Sequence, residues 1–202
     1  AGKALLTLTE ATRDKNMVVL AGLPLTVNGV LYNAAAVLHD GDILGFVPKS
    51  YLPTYSEFYE GRHYHSGADI ETDVLFNGRT YPFGTRLLFR CRQMPAFTLG
   101  IEICEDLWVA QPPSISHALA GATVIANLSA SDETTGKDIY RRSLVSGQSA
   151  RLVCGYIYAD AGEGESSTDL VFGAHNLICE NGSILAESER FSNQMIMADM
   201  DM

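Results

Sequence analysis

The chain has 202 residues, of which 47% are hydrophobic and 19% charged, and its formal net charge is -10. That length suits one domain with a substantial core, and the composition is that of an ordinary globular protein. The acidic surplus excludes nucleic acid or an anionic membrane as main partner, because phosphate binding needs concentrated Lys and Arg. No apolar run approaches the roughly 20 residues of a membrane span, and no signal-peptide pattern opens the chain, so the expected location is cytoplasmic.

Residues 3–13 mix apolar and polar positions as a helix does, and 17–23 read as a fully buried strand. Asn28-Gly29, Asp40-Gly41, Asn77-Gly78 and Asn181-Gly182 each separate strand-like runs. Asn-Gly and Asp-Gly satisfy the positive φ values of tight turns, so each is a hairpin signal. The clearest hairpin runs over 30–39, turns at Asp40-Gly41 and returns over 42–47. Lys49 ends that second strand, and an aromatic-rich loop with carboxylates follows it. A lysine at a strand end is ordinarily a solvated charge. Beside a cysteine, however, an ammonium stabilises a thiolate and later an oxyanion.

Residues 97–108 form an apolar run that stops at Cys104, flanked by acidic residues, and a second apolar run at 123–129 follows at strand–helix–strand spacing. A thiol at a strand tip just before a helix start is held rigidly yet reachable, and the helix N-terminus favours thiolate. The competing reading is a buried cysteine acting as a small hydrophobe. Helices are predicted at 115–119, after Pro112-Pro113-Ser114 and ending at Gly121, and at 137–151. Further strands are predicted at 155–159, 176–179, 184–186 and 195–198. Strands apolar on both faces need cover from another sheet and from helices, which points to a two-sheet sandwich with helices outside. A doubly wound single sheet is the alternative. The cysteines Cys91, Cys104, Cys154 and Cys179 form no C-x-x-C pair, which suits a reduced protein rather than a disulfide or zinc scaffold. Cys154 and Cys179 lie in apolar runs and read as structural. No metal site is expected, since His63 and His65 have no ligand-spaced partners beyond each other.

Four stretches together resemble the carbon–nitrogen hydrolase (nitrilase) superfamily. They are Lys49 with Tyr51-Leu52-Pro53-Thr54-Tyr55-Ser56-Glu57-Phe58-Tyr59-Glu60, then Ile103-Cys104-Glu105-Asp106-Leu107-Trp108, then Ala126-Asn127-Leu128-Ser129-Ala130-Ser131, and Gly162-Glu163-Gly164-Glu165-Ser166-Ser167-Thr168-Asp169-Leu170. Within that superfamily they resemble the glutaminase domains of bacterial glutamine-dependent NAD+ synthetases, over nearly the whole chain. The resemblance implies an α/β fold, a four-layer α-β-β-α sandwich lacking its first strand. It also implies one domain over 1–202, truncated at the N-terminus and without the synthetase domain.

Of the superfamily's Glu–Lys–Cys triad, the resemblance implies Cys104 as nucleophile and Lys49 as the lysine. It implies that Tyr55, Ser131 and Lys137 contact glutamine, with Lys137 standing where relatives often carry Arg. Trp108 and Phe58 would wall the pocket, and Glu57 falls where many members keep a second glutamate that orients the lysine. Read alone, Ser131 is also a helix N-cap before Asp132-Glu133, and Tyr55 and Phe58 are also packing residues. The implied partners are L-glutamine, the synthetase domain of a parent chain and further copies in a homo-oligomer. No cofactor is implied for the glutaminase domain; ATP, Mg and deamido-NAD belong to the synthetase domain. The triad glutamate, normally in a Phe-Pro-Glu-type segment ahead of the strand at 17–23, has no match, and Glu10 falls in the helix after it. The expected consequence is weak or absent activity in the chain alone. A stand-alone amidase or nitrilase on another small amide, and an inactive scaffold, are the competing readings.

Overall fold

A computed structural model describes residues 1–165 and 169–201. The chain divides into two compact units, 1–87 and 88–202, and each carries one sheet. The class is therefore mixed α/β with two open sheets, and the single doubly wound sheet is excluded. No described helix is long and apolar enough to cross a membrane.

The first unit contains α1 (Gly2–Ala11), β1 (Val19–Val27), β2 (Val30–His39), β3 (Asp42–Pro48), β4 (Glu71–Phe76) and β5 (Arg79–Gly84). Its sheet order is β1-β2-β3-β5-β4. The turn residues that join β1 to β2, β2 to β3 and β4 to β5 all have positive φ, as Asn28, Gly29, Asp40, Gly41, Asn77 and Gly78 show. Both central residues are thus left-handed, the condition for the tight turns that match strand twist. The expected buried strand at 17–23 is corrected: β1 starts at Val19, and only Leu23, Leu25 and Val27 are buried along it. The reason is its place at the sheet edge with one face covered, which also lets Pro24 sit there without a ladder N–H. Interior β2 is different, for Ala34 to Leu38 are all fully buried. Leu5 from α1 joins Phe46, Phe83 and Tyr81 in the core of this unit.

The second unit contains β6 (Phe89–Arg90), β7 (Thr98–Ile103), α2 (Pro113–Leu119), β8 (Val124–Ser129), α3 (Lys137–Leu152), β9 (Gly155–Asp160), β10 (Leu177–Glu180) and β11 (Ser183–Glu187). Its sheet order is β11-β10-β9-β8-β7-β6. Strands β7, β8 and β9 are parallel, and α2 and α3 lie in the crossovers between them, as parallel pairing requires. Every residue of β7 is buried. Tyr156, Tyr158, Leu177 and Val145 anchor the core beneath α3. Cys154 and Cys179 are buried as expected, and burial pushes both thiols up to about 11. The strand expected at 195–198 does not form. Met195 and Met197 alternate as a strand would, but they are 77% and 78% exposed and no ladder receives them.

Candidate functional site

In the first unit, Lys49 follows β3 directly. Register places Pro48 opposite Ala34, and the Lys49 N–H donates to the Asn33 carbonyl at 2.8 Å, so pairing continues one residue past the strand. The side chain points into the protein at 3% exposure, and its ammonium is ion-paired with Glu60 Oε2. Glu60 Oε1 accepts from Asn33 Nδ2 at 2.6 Å. Strand β2 thus positions the lysine through its backbone and the glutamate through a side chain. Such pairing is what makes a buried ammonium tolerable. The loop closes on itself to bring Glu60 there, with the Glu60 N–H donating to the Pro53 carbonyl at 3.2 Å.

Within that loop, Tyr55 and Phe58 meet edge to face at 5.8 Å between ring centroids, and Phe58 N–H donates to the Tyr55 carbonyl at 2.9 Å. Tyr55 is 56% exposed. Phe58 and Glu57 are half-buried. Glu10 lies on α1 in an exposed pair with Arg13 at 2.6 Å.

In the second unit, Cys104 stands where β7 ends. It is buried and its φ is +47°. A non-glycine residue in that left-handed region carries about 1–3 kcal/mol of strain, which surrounding contacts must offset. The helix expected to begin here is a single 3-10 turn, Cys104–Leu107. One turn aligns few peptide dipoles, so the thiolate-stabilising helix field expected from the sequence is small. Side chains hold the turn instead. The Ile103 N–H donates to Asp106 Oδ2 at 2.9 Å, and the Cys104 N–H donates to Asn127 Oδ1 at 2.9 Å. Next door on β7, Gly100 is required because any Cβ there would come within 2.9 Å of the His117 ring on α2.

Ser131 is not a helix N-cap, since α3 starts at Lys137 with Gly136 as its cap residue. Buried Ser131 instead donates its N–H to Asp160 Oδ1 at 2.8 Å and accepts from Arg141 Nη2 at 3.3 Å. Lys137 is ion-paired with Asp132, and its ammonium lies 5.3 Å from the centroid of the Trp108 ring. Trp108 in turn packs on Tyr140 at 5.4 Å between centroids. Ser131, Lys137 and Trp108 are therefore linked through residues 131–141.

Behind them Arg141 is fully buried and pairs with Glu133. It also donates to His175 Nδ1 at 3.0 Å, which leaves the Nε2–H of His175 to donate to Glu187 at 2.8 Å. Burial pushes the Asp160 carboxyl up to about 6, against the pull of Arg141 and of the Ser131 and Ala161 N–H groups.

A model of the carbon–nitrogen hydrolases matches residues 1–202. The chain belongs to the carbon–nitrogen hydrolase family. This hydrolase is 48% identical over 200 residues to the glutamine-dependent NAD(+) synthetase of Mycobacterium tuberculosis, which covers 98% of this chain and 30% of that protein. It is 29% identical over 202 residues to the glutamine-dependent NAD(+) synthetase of Thermotoga maritima, covering 99% of this chain and 31% of that protein. Among solved structures, the glutamine-dependent NAD(+) synthetase of Cytophaga hutchinsonii superposes with a TM-score of 0.82 at 29% identity, over 94% of this chain and 30% of that one. A nitrilase-superfamily member from Saccharomyces cerevisiae shares the fold at a TM-score of 0.70 and 15% identity, over 95% of this chain and 62% of that one. The chain spans about 30% of the length of the synthetases it matches.

Several residues that surround the candidate positions within each unit are not visible from the sequence. Glu60 is the carboxylate seen on Lys49, eleven residues further along; its loop has no period from which that return is visible. Arg141, Asp160 and Glu102 each look like solvated charges until the fold buries them. Asn127 offered a signal, a polar amide inside an apolar strand run. Of the Gly162–Leu170 stretch, Ser166, Ser167 and Thr168 lie outside the described residues.

Proposed function

We propose that this chain is the glutaminase part of a glutamine-dependent NAD+ synthetase. In this reading it releases ammonia from L-glutamine for ATP-dependent amidation of deamido-NAD by a synthetase domain of the parent chain. The observation that carries it is a cysteine in a strained left-handed conformation at the end of a fully buried strand. That cysteine lies in a chain 48% identical, over 98% of its length, to a synthetase with that name.

The Cys104 sulfur attacks the side-chain carboxamide carbon, forming an S–C bond and a tetrahedral oxyanion. The C–N bond then breaks, ammonia leaves with the proton taken from the thiol, and water hydrolyses the thioester to glutamate. The Lys49 ammonium and the Glu105 N–H hold the oxyanion, and Glu60 keeps that ammonium in one orientation. A general base of the Glu–Lys–Cys type carries the proton; Glu10 is unsuited to this because Arg13 holds it on an exposed helix face. Tyr55, Ser131 and Lys137 bind the amino-acid end of glutamine, with Trp108 and Phe58 as apolar walls and Glu57 beside the lysine loop. Lys137 offers a point charge already shared with Asp132, a weaker grip on a carboxylate than the planar fork of an arginine. The amide hydrolysis takes no cofactor in this reading; ATP, Mg and deamido-NAD belong with the synthetase domain.

Glutamate release from glutamine by the native protein carrying this chain tests the reading, with Cys104→Ala as comparison. Iodoacetamide should also alkylate Cys104 faster than Cys154 and Cys179, whose thiols burial pushes up to about 11. Turnover that survives Cys104→Ala, or equal labelling of these three cysteines in the folded protein, overturns it.

A further inference from the structure

Behind the cysteine lies a chain of buried polar side chains that the proposed chemistry does not use. Glu102 on β7, Asn127 on β8 and Tyr156 on β9 are each at most 1% exposed. They occupy neighbouring strands of the parallel core, with Glu102 directly opposite Asn127 in the ladder. Both Glu102 oxygens accept: Oε1 from the Tyr156 hydroxyl, and Oε2 from the Ser114 N–H at 2.9 Å. Ser114 is fixed in turn by Gln148 Nε2, which donates to its hydroxyl at 2.8 Å.

The direction of this chain follows from the backbone donor at its end. The Cys104 N–H can only donate, so Asn127 Oδ1 accepts it at 2.9 Å and Nδ2 faces the Tyr156 oxygen at 3.3 Å, whose single hydrogen goes on to Glu102. Nδ2 also approaches the Cys104 carbonyl at 3.5 Å. One amide therefore grips both backbone polar groups of the residue whose φ is +47°. Strain of this kind persists only where the surroundings over-determine it.

We infer that Asn127 is a positioning residue for the nucleophile: braced by Tyr156 and Glu102, it clamps the Cys104 backbone in the left-handed conformation that aims the thiol. The Cys104 N–H is consumed by this clamp, which leaves oxyanion binding to other donors. The inference rests on the glutaminase reading for its catalytic consequence. It rests on geometry alone for the clamp.

The test compares Asn127→Ala, Tyr156→Phe and the control Ser129→Ala in the native protein carrying this chain. Ser129 shares a 2.6 Å hydrogen bond with Tyr158 across the same two strands but does not belong to the clamp. Asn127→Ala and Tyr156→Phe should lower kcat for glutamine about 10- to 100-fold, the scale of a misplacement near 1 Å. KM should stay within about two-fold, and Ser129→Ala should retain kcat.

Amide hydrogen exchange gives a readout independent of turnover. Protection of the Cys104 N–H should fall in both clamp variants, while that of Ile103, held by Asp106 at 2.9 Å, persists. If Asn127→Ala fails to fold, Tyr156→Phe, which keeps the ring, decides. Unchanged kcat with a still-protected Cys104 amide overturns the inference, as does an equal loss of kcat in Ser129→Ala. A wild-type protein that releases no glutamate defeats the glutaminase reading, and amide exchange then decides the clamp by itself.

Discussion

Replacing Glu60 by alanine isolates the energetics of the lysine that the proposed mechanism needs. Lys49 is 3% exposed, while the Glu60 side chain is 15% exposed. Removing one member of a buried ion pair costs about 3–5 kcal/mol where the remaining charge keeps no other partner, and Lys49 keeps further interactions. Those interactions and the residual exposure of Glu60 place this case at the lower end, at about 3 kcal/mol. The Asn33 amide, which donates to Glu60 Oε1 at 2.6 Å, loses its acceptor as well and adds about 1 kcal/mol. For a chain of this size, a loss of about 3–4 kcal/mol lowers Tm by about 6–16 °C.

The double variant Lys49→Met/Glu60→Leu removes both charges and their desolvation together. It should recover most of the loss, since apolar replacement of a buried pair is often neutral or stabilising. Urea and thermal unfolding at neutral pH measure all three proteins, and glutamate release is assayed beside them. The double variant should fold and yet lack turnover. The reasoning is refuted if Glu60→Ala unfolds within about 0.5 kcal/mol of wild type, the scatter of an ordinary surface substitution, or if the double variant is less stable than the single one.

Two further outcomes follow from the second unit. Cys104→Gly should be more stable than Cys104→Ala, because glycine relieves about 1–2 kcal/mol of left-handed strain against an entropic cost of about 0.5–1. Urea midpoints of the two variants measure the difference, and a less stable glycine variant would show that φ of +47° is unstrained here. The Asp160 carboxyl, raised by burial to about 6, binds its proton more tightly folded than unfolded. Its contribution is therefore full below about pH 4 and is lost as pH rises through 6, a swing of at most about 3 kcal/mol. Asp160→Asn should flatten that part of the curve, seen as the wild-type minus variant difference in urea midpoints between pH 4 and 7. A difference independent of pH would contradict the assigned cause.

The turns and the strand–helix order were legible because they depend on local chemistry. Asn-Gly and Asp-Gly dictate φ wherever they occur, and all four sites became hairpins. Cys104 and Lys49 were legible as strand-end residues for the same reason. Where neighbours decide, reading along the chain failed. Alternation at 195–198 produced no strand because no ladder edge receives it, and 17–23 looked doubly buried because an apolar run does not reveal that it will lie at an edge. Ser131 followed by Asp132-Glu133 has the composition of a cap, yet the helix waits until Lys137 and the serine serves Asp160 and Arg141.

Local preference and residue order thus specified the segments, the family and the cysteine on which the proposed chemistry turns. Folding alone revealed which charges are buried and what each polar group faces. Glu60 reaches Lys49 only through the return of a loop, and Asn127 reaches Cys104 only because β7 and β8 lie side by side. Hydrogen bonds and desolvation depend on distance in space, and residues 11 or 23 positions apart acquire that distance only when the chain has packed.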